Sequence, residues 1–201
     1  MNLMAIGVAL LLPQEVRANA IALSASLSSK GAHGLRLDEL NRPHITLSQH
    51  FVGADEIDRV FERVHERLRG RAPLVVQVTG GGHSTHMVWM NIERSPELVD
   101  LHEQLMDGLR RLEREIGGPD AFVDGDARLR DVLWVSGFRF KSSFGDYRPH
   151  VTLAEGTQPP LIGPFSFEAS AVAVCHLGRF CTCPRVLRVW ELNAEASHSD
   201  L

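Results

Sequence analysis

A seven-residue string that occurs twice constrains this chain more than any other feature: "NRPHITL" at 41–47 and "YRPHVTL" at 147–153. In each copy the proline disfavours helix in the residue before it. Beyond the proline, aliphatic residues alternate with His and Thr, the period of a strand with one buried face. Ile45 and Leu47 are thus predicted to face a core while His44 and Thr46 face away, and Val151 and Leu153 stand in the same relation to His150 and Thr152. Two like strands so far apart in the chain predict two related lobes, each a sheet backed by helices.

The intervening sequence fits an α+β class. "MNLMAIGVALLLP" reads as a buried first strand closed by Pro13. No Lys or Arg precedes its apolar run, as one would in a signal peptide, and the run is too short to span a bilayer. Val16, Ala20, Leu23 and Leu27 share one side of a helix with Gly31 as its stop. Ile57, Val60, Phe61, Val64 and Leu68 form the inward stripe of a second helix over 55–69. "LVVQVTG" and "MVWMNIE" predict two strands joined by the glycine-rich turn "GGGHSTH". Ser95 caps a third helix, Pro96 opens it, and Gly117 and Gly118 end it. Residues 119–131 read as loop, "WVSGFRF" alternates like a strand, and "FSFEASAVAVCHL" with "RVLRVWELN" predicts a closing strand pair. The expected organisation is a single bilobal domain over 1–193 and a disordered tail over 194–201.

A chain of 201 residues buries a core without staples. Its net charge of −4 gives no basic field to gather long nucleic acid, so a phosphate-bearing substrate is expected to be small or held locally. Three cysteines without framework spacing favour a reducing compartment, and a cytoplasmic monomer is expected.

Residues i and i+2 of a strand share a face about 6.5–7 Å apart, so His44 pairs with Thr46 and His150 with Thr152. Each pair offers a proton-transfer group that titrates near neutrality and a hydroxyl donor for an anionic oxygen. If the two polar faces share a cleft, one histidine can take a proton from a nucleophile while the other protonates a departing oxygen. The hydroxyls then hold the non-bridging oxygens of a phosphorus centre. Such chemistry requires no metal or cofactor, and two coupled histidines predict a bell-shaped pH–rate profile.

Residues "HITL" at 44–47 and "HVTL" at 150–153 resemble the paired His-x-Thr-x motifs of the 2H phosphoesterases, a family that includes 2'-5' RNA ligase-like proteins and cyclic nucleotide phosphodiesterases. The resemblance implies a bilobal fold around a pseudo-twofold axis, with His44 and His150 as acid and base and Thr46 and Thr152 as phosphate ligands. It implies hydrolysis or ligation at 2',3'-cyclic or 2'-5' phosphodiesters. Many relatives of the RNA ligase type carry a basic residue soon after the second motif, where this chain has Glu155, which weakens the case for a long RNA substrate and favours a small cyclic phosphate; the expected partner is a small nucleotide or RNA-end cyclic phosphate. The alternatives are a 2'-5' RNA ligase or phosphodiesterase, and a nucleotide-binding module without catalysis.

Tyr147 and Phe144, next to Arg148 and Lys141, are candidates to stack a base. Arg42 and Arg148 precede the motifs at matching places but with parity that turns them from the cleft. His50, His83 and His86 are expected at loops or rims. Cys175, His176, Cys181 and Cys183 lack a spacing that demands a metal.

Overall fold

A computed structural model describes residues 2–27 and 34–193. The predicted stop at Gly31 and the predicted tail over 194–201 lie outside the described residues. The order is β1 (Leu3–Leu11), α1 (Gln14–Leu27), β2 (His44–Gly53), α2 (Ile57–Leu68), β3 (Leu74–His83), β4 (Met87–Ile92), α3 (Pro96–Leu109), α4 (Leu129–Lys141), β5 (His150–Glu155), β6 (Phe165–Ala169), β7 (Ala171–His176) and β8 (Arg185–Glu191). The class is α+β, as expected.

Two four-stranded antiparallel sheets form, with orders β2-β1-β7-β8 and β5-β4-β3-β6. Each repeated string thus opens a strand at the edge of its sheet, and these two edge strands lie against each other. Helices cross over: α1, from the first half of the chain, packs on β5, while α3 packs on β2. One core is filled by Ile45 and Leu47 of β2, Val151 and Leu153 of β5, and apolar faces of α1, α2 and α3. A smaller cluster joins Ala5, Ala9, Phe51 and Cys175 to Val132 and Val135 of α4.

Four local expectations change. The segment containing "WVSGFRF" belongs to α4: Asp131, Val132, Val135 and Phe138 are buried at helical spacing, and the Asp131 carboxylate accepts the Arg128 backbone N–H at the helix start. Helix α3 stops at Leu109, before its glycines, because the chain then turns and the Arg114 N–H donates to Phe51 O across to β2. The predicted glycine turn is strand: Gly80, Gly81 and Gly82 belong to β3, and only 84–86 lie between it and β4. A Cβ on Gly81 would fall 2.0 Å from Pro160 O and one on Gly82 2.2 Å from Trp89 Nε1, so close approach requires both glycines. Finally, "FSFEASAVAVCHL" divides at Ser170 between the two sheets, β6 pairing with β3 and β7 with β1.

Candidate active site

The repeated strings adopt the same local structure. His44 Nδ1 lies 2.8 Å from Arg42 O, and His150 Nδ1 lies 2.7 Å from Arg148 O. A carbonyl only accepts, so Nδ1 carries the hydrogen in each ring and Nε2 keeps its lone pair. The backbone of each string thereby sets the tautomer of its own histidine. The Arg42 and Arg148 side chains bond local carbonyls, Glu39 O for the first and Gly145 O and Tyr147 O for the second. His44, Thr46, His150 and Thr152 are all half-buried, and the aliphatic residues between them are buried, as strand parity predicts.

Each strand slips register by one residue just after its threonine. On β2, Thr46 faces Ala9 and Ser48 faces Val8, leaving Leu47 extra. On β5, Thr152 faces Trp89 and Ala154 faces Val88, leaving Leu153 extra. A bulge re-aims neighbouring side chains and removes a ladder partner. Both bulge carbonyls receive a replacement donor from a fully buried side chain on the crossing helix: His102 Nδ1 of α3 at 2.6 Å from Leu47 O, and Ser24 Oγ of α1 at 2.6 Å from Leu153 O. His102 Nε2 accepts the Phe144 N–H at 2.9 Å, so this histidine is neutral with its hydrogen on Nδ1. Burial lowers its pKa, against the opposing pull of the Leu47 carbonyl.

The sequence places Tyr147 and Phe144 as base-stacking candidates; the structure buries Tyr147 in the framework and leaves Phe144 half-buried beside it. Tyr147 is only 2% exposed, its ring stacks on His102 with centroids 3.8 Å apart, and its hydroxyl donates to Thr46 O at 2.9 Å. Burial pushes its phenol pKa up, keeping it a donor. Phe144 takes a left-handed φ of 55° and sets its ring edge-on to His102. An aromatic residue beside a motif looks like a ligand contact in one dimension, but here Tyr147 ties motif 1 to the approach to motif 2. His50, expected at a rim, is also fully buried, its Nδ1 3.4 Å from Glu113 Oε1. The bulge reverses the parity it would otherwise share with His44. His83 and His86 are exposed.

Other groups at the histidines escaped the sequence reading. Trp89 and Asn91 stand opposite Thr152 and His150 across the β4–β5 ladder and so share their face. The Trp89 and His150 ring centroids are 5.4 Å apart, and Trp89 Nε1 donates to Asn91 Oδ1 at 2.7 Å. The alternation within "MVWMNIE" carried that signal. On the other side Cys183 Sγ lies 3.6 Å from His44 Nε2, a proximity that spacing alone does not reveal. All three cysteines are free, and among the described residues no group of three or more His, Cys, Asp or Glu side chains is arranged to hold a metal ion.

Burial lowers the pKa of both motif histidines, opposed in each by the carbonyl two residues back, and His44 is lowered further by His150. The His150 ring is thus close enough to act on the His44 ring from the adjoining edge strand. At neutral pH both are mainly unprotonated in the resting site, and a proton taken by one resists protonation of the other. The arrangement puts two imidazole Nε2 atoms and two threonine hydroxyls on two strands that lie against each other, a set of groups that suits proton shuttling about an anionic centre.

Residues 13–170 match the family model described as the 2'-5' RNA ligase superfamily. No curated protein sequence matches the chain. Among solved structures, TT0787 of Thermus thermophilus superposes with a TM-score of 0.65 at 20% identity, covering 96% of this chain and 100% of that one. E. coli LigT in complex with NADP+ gives 0.60 at 18% identity over 94% of this chain and 98% of LigT. A structure described as a phosphoesterase gives 0.62 at 19% identity over 94% and 99%. These likenesses are to the fold. Among the described residues no helix is long and apolar enough to cross a membrane.

Proposed function

The chain belongs to the 2'-5' RNA ligase superfamily, and from that premise we propose that it is a phosphodiesterase that opens a nucleotide 2',3'-cyclic phosphate by two-histidine acid–base catalysis. The observation that carries this reading is the duplicated imidazole geometry, with both Nδ1 atoms held by carbonyls, so that Nε2 of each ring is the proton-transfer atom, bare among the described residues at His150 and beside the Cys183 thiol at His44. In the reaction, Nε2 of one histidine removes a proton from water as its oxygen attacks phosphorus. The P–O bond to the departing ribose oxygen breaks, and the other histidine, reacting in the minor form that carries a proton on Nε2 as well as on Nδ1, supplies that oxygen with a proton. The product is a phosphomonoester, and the proton balance is restored by exchange with solvent. Thr46 and Thr152 donate to the non-bridging oxygens while charge shifts among them.

The surroundings favour unequal roles. The Trp89 ring beside His150 stabilises an imidazolium there by cation–π attraction. His44 has a thiol at Nε2 and is disfavoured as a cation by His150. His150 is thus assigned the acid and His44 the base for ring opening. The family name supports a second reading, cleavage or joining of 2'-5' linkages in RNA, in which the same two groups act on a different departing oxygen. Structures of LigT with ATP and with 3'-AMP make a nucleotide a reasonable first substrate to assay.

The test is turnover of a 2',3'-cyclic nucleotide by the parent protein and by His44→Ala and His150→Ala. Each variant is expected to lose at least about 10²-fold in kcat while keeping the parent circular dichroism. A folded variant with parental turnover refutes the two-histidine mechanism.

A further inference from the structure

Of the large apolar side chains that remain exposed, four stand on α4: Leu129 (72%), Leu133 (59%), Trp134 (48%) and Phe140 (81%). No other described helix or strand carries more than one. Scattered apolar residues need no explanation, but a cluster on one face marks a contact surface. At about 100° per residue, Val132, Val135 and Phe138 turn inward and these four spread over the opposite arc. The helix is also a fixed platform. Asp131 holds Arg128 at 2.6 Å at its start, and near its end Arg139 donates to Glu113 Oε2 and to Met106 O, both at 2.6 Å. A surface already held in place loses little freedom on docking.

Gly137 lies at the middle of the exposed arc. Leu133 and Phe140 fall to one side of it and Trp134 and Lys141 to the other, in each case one residue a turn before and one a turn after. The nearest atoms to a Cβ built on Gly137 belong to Lys141, with Cδ at 3.3 Å, so a flexible side chain is what covers the glycine. Glycine weakens a helix interior, but it lets a second helix come close.

This layout is its own complement. When two copies of α4 lie antiparallel about a twofold axis at Gly137, positions equally far before and after the glycine come level. Leu133 then meets Phe140 of the second copy, and Trp134 meets Lys141, each to within one residue and each twice. The first is an apolar contact; in the second the lysine stem and ammonium cover the indole.

Charge narrows the choice of occupant. The exposed ionised side chains of α4 are Arg130 and Lys141, and its one acid, Asp131, is buried against Arg128. An anionic lipid surface would attract these two cations but would repel a chain of net charge −4. The twofold pairing gives Lys141 an indole and needs no acid from another molecule. We propose that α4 is a homodimer interface in which two antiparallel copies cross at Gly137, in place of the monomer expected from the sequence. The surface is one helix wide, so the interface falls at the small end of specific association, with a Kd on the order of 10 μM. It is independent of the reaction assigned to the cleft.

The test is sedimentation equilibrium of the full chain, from about tenfold below that Kd to about tenfold above it, with circular dichroism as the check on folding. The parent is expected to pass from monomer to dimer across the range, and its Tm to rise with protein concentration. Leu133→Glu and Phe140→Glu each place a carboxylate in the apolar contact, and both are expected to stay monomeric. Gly137→Leu adds apolar surface but blocks the close crossing, so it is expected to weaken the dimer at least about tenfold. A parent that is monomeric throughout overturns the interface, whether or not it binds phosphatidylserine vesicles. Dimerisation of folded Phe140→Glu at the parental Kd removes α4 from the contact, and tighter association of Gly137→Leu refutes the crossing at the glycine.

Discussion

Tyr147→Phe isolates one hydrogen bond at the join between the motifs. The substitution keeps the ring, which stacks on His102 at 3.8 Å, and removes only the hydroxyl that donates to Thr46 O at 2.9 Å. Because Tyr147 is 2% exposed, water does not readily replace that donor, and losing a buried partner costs about 1–3 kcal/mol. In a protein of this size each kcal/mol lowers Tm by about 2–4 °C, so a fall of about 2–12 °C is expected. The functional effect comes from the residue that holds the acceptor, since Thr46 is also the proposed hydroxyl donor to the phosphate. A displacement approaching 1 Å can cost about 10²-fold in rate, and a partial shift of Thr46 is expected to lower kcat about tenfold. KM should stay within twofold, because no substrate contact is removed. The assay is steady-state hydrolysis of a 2',3'-cyclic nucleotide well below Tm, with a melt of each protein. Combination with Thr46→Val should cost less than the sum of the two single changes, and combination with Thr152→Val should be nearly additive. Unchanged kcat with a lowered Tm would leave the bond structural only, and a raised KM at constant kcat would return Tyr147 to the substrate.

Ser24→Ala makes the corresponding cut on the other lobe, removing the donor to Leu153 O and the acceptor of the Leu37 N–H. It is expected to lower stability by about 2–4 kcal/mol in urea unfolding and to reduce kcat, and full activity in the folded variant would separate the bulge from catalysis. Gly82→Ala sets a Cβ 2.2 Å from Trp89 Nε1 and 2.6 Å from Asn91 Oδ1, so the indole must leave His150. Stability should drop by about 1–3 kcal/mol with a change in tryptophan fluorescence, and unaltered emission at parental activity would contradict that packing. Burial lowers the pKa of His44, His102, His150 and His176, so above about pH 6.5 these rings are neutral in folded and unfolded chains alike. Below that value the unfolded chain takes protons that the native state refuses. Tm should therefore fall as pH drops from about 6.5 through the native values, and the acid limb of the rate profile should lie below the ordinary histidine range; a flat Tm from pH 7.5 to 5 would refute the assignment.

Legibility in the sequence follows the range of the interaction that fixes each element. Strand parity set the outward direction of His44, Thr46, His150 and Thr152 from neighbours two residues apart, and Ser95 marked the start of α3 through a bond to the Leu98 N–H. Helix α4 was obscured because "VLWVSGF" suits both periods. Its burial at Val132, Val135 and Phe138 decides the matter, while Leu133 and Trp134 remain exposed. No residue type announced the bulges at Leu47 and Leu153, since these leucines also suit a regular strand. Their cause is the pairing with β1 and β4 and the donors that arrive from α3 and α1. The same long range hid Tyr147, whose partner is 101 positions away, and Cys183, whose neighbour His44 is 139 positions away.

The duplicated string accounts for what is symmetric in the cleft and leaves the asymmetry to its surroundings. Each histidine is held by the carbonyl of its own string, each threonine precedes a bulge, and each bulge is capped from a crossing helix, so two copies of seven residues suffice for two matching imidazoles, the proposed proton-transfer groups. An acid and a base, however, must hold a proton with different affinity. The first string opens with Asn41 on the wall of a cavity beside motif 1; the second opens with Tyr147, which reaches back to motif 1. Around the rings, Trp89 meets one histidine and Cys183 the other. Exchange of those neighbours, not of the strings, is the perturbation that would exchange the roles. Differentiation of the two histidines is thus carried by β4 and by the loop between β7 and β8, outside the repeat that supplies them.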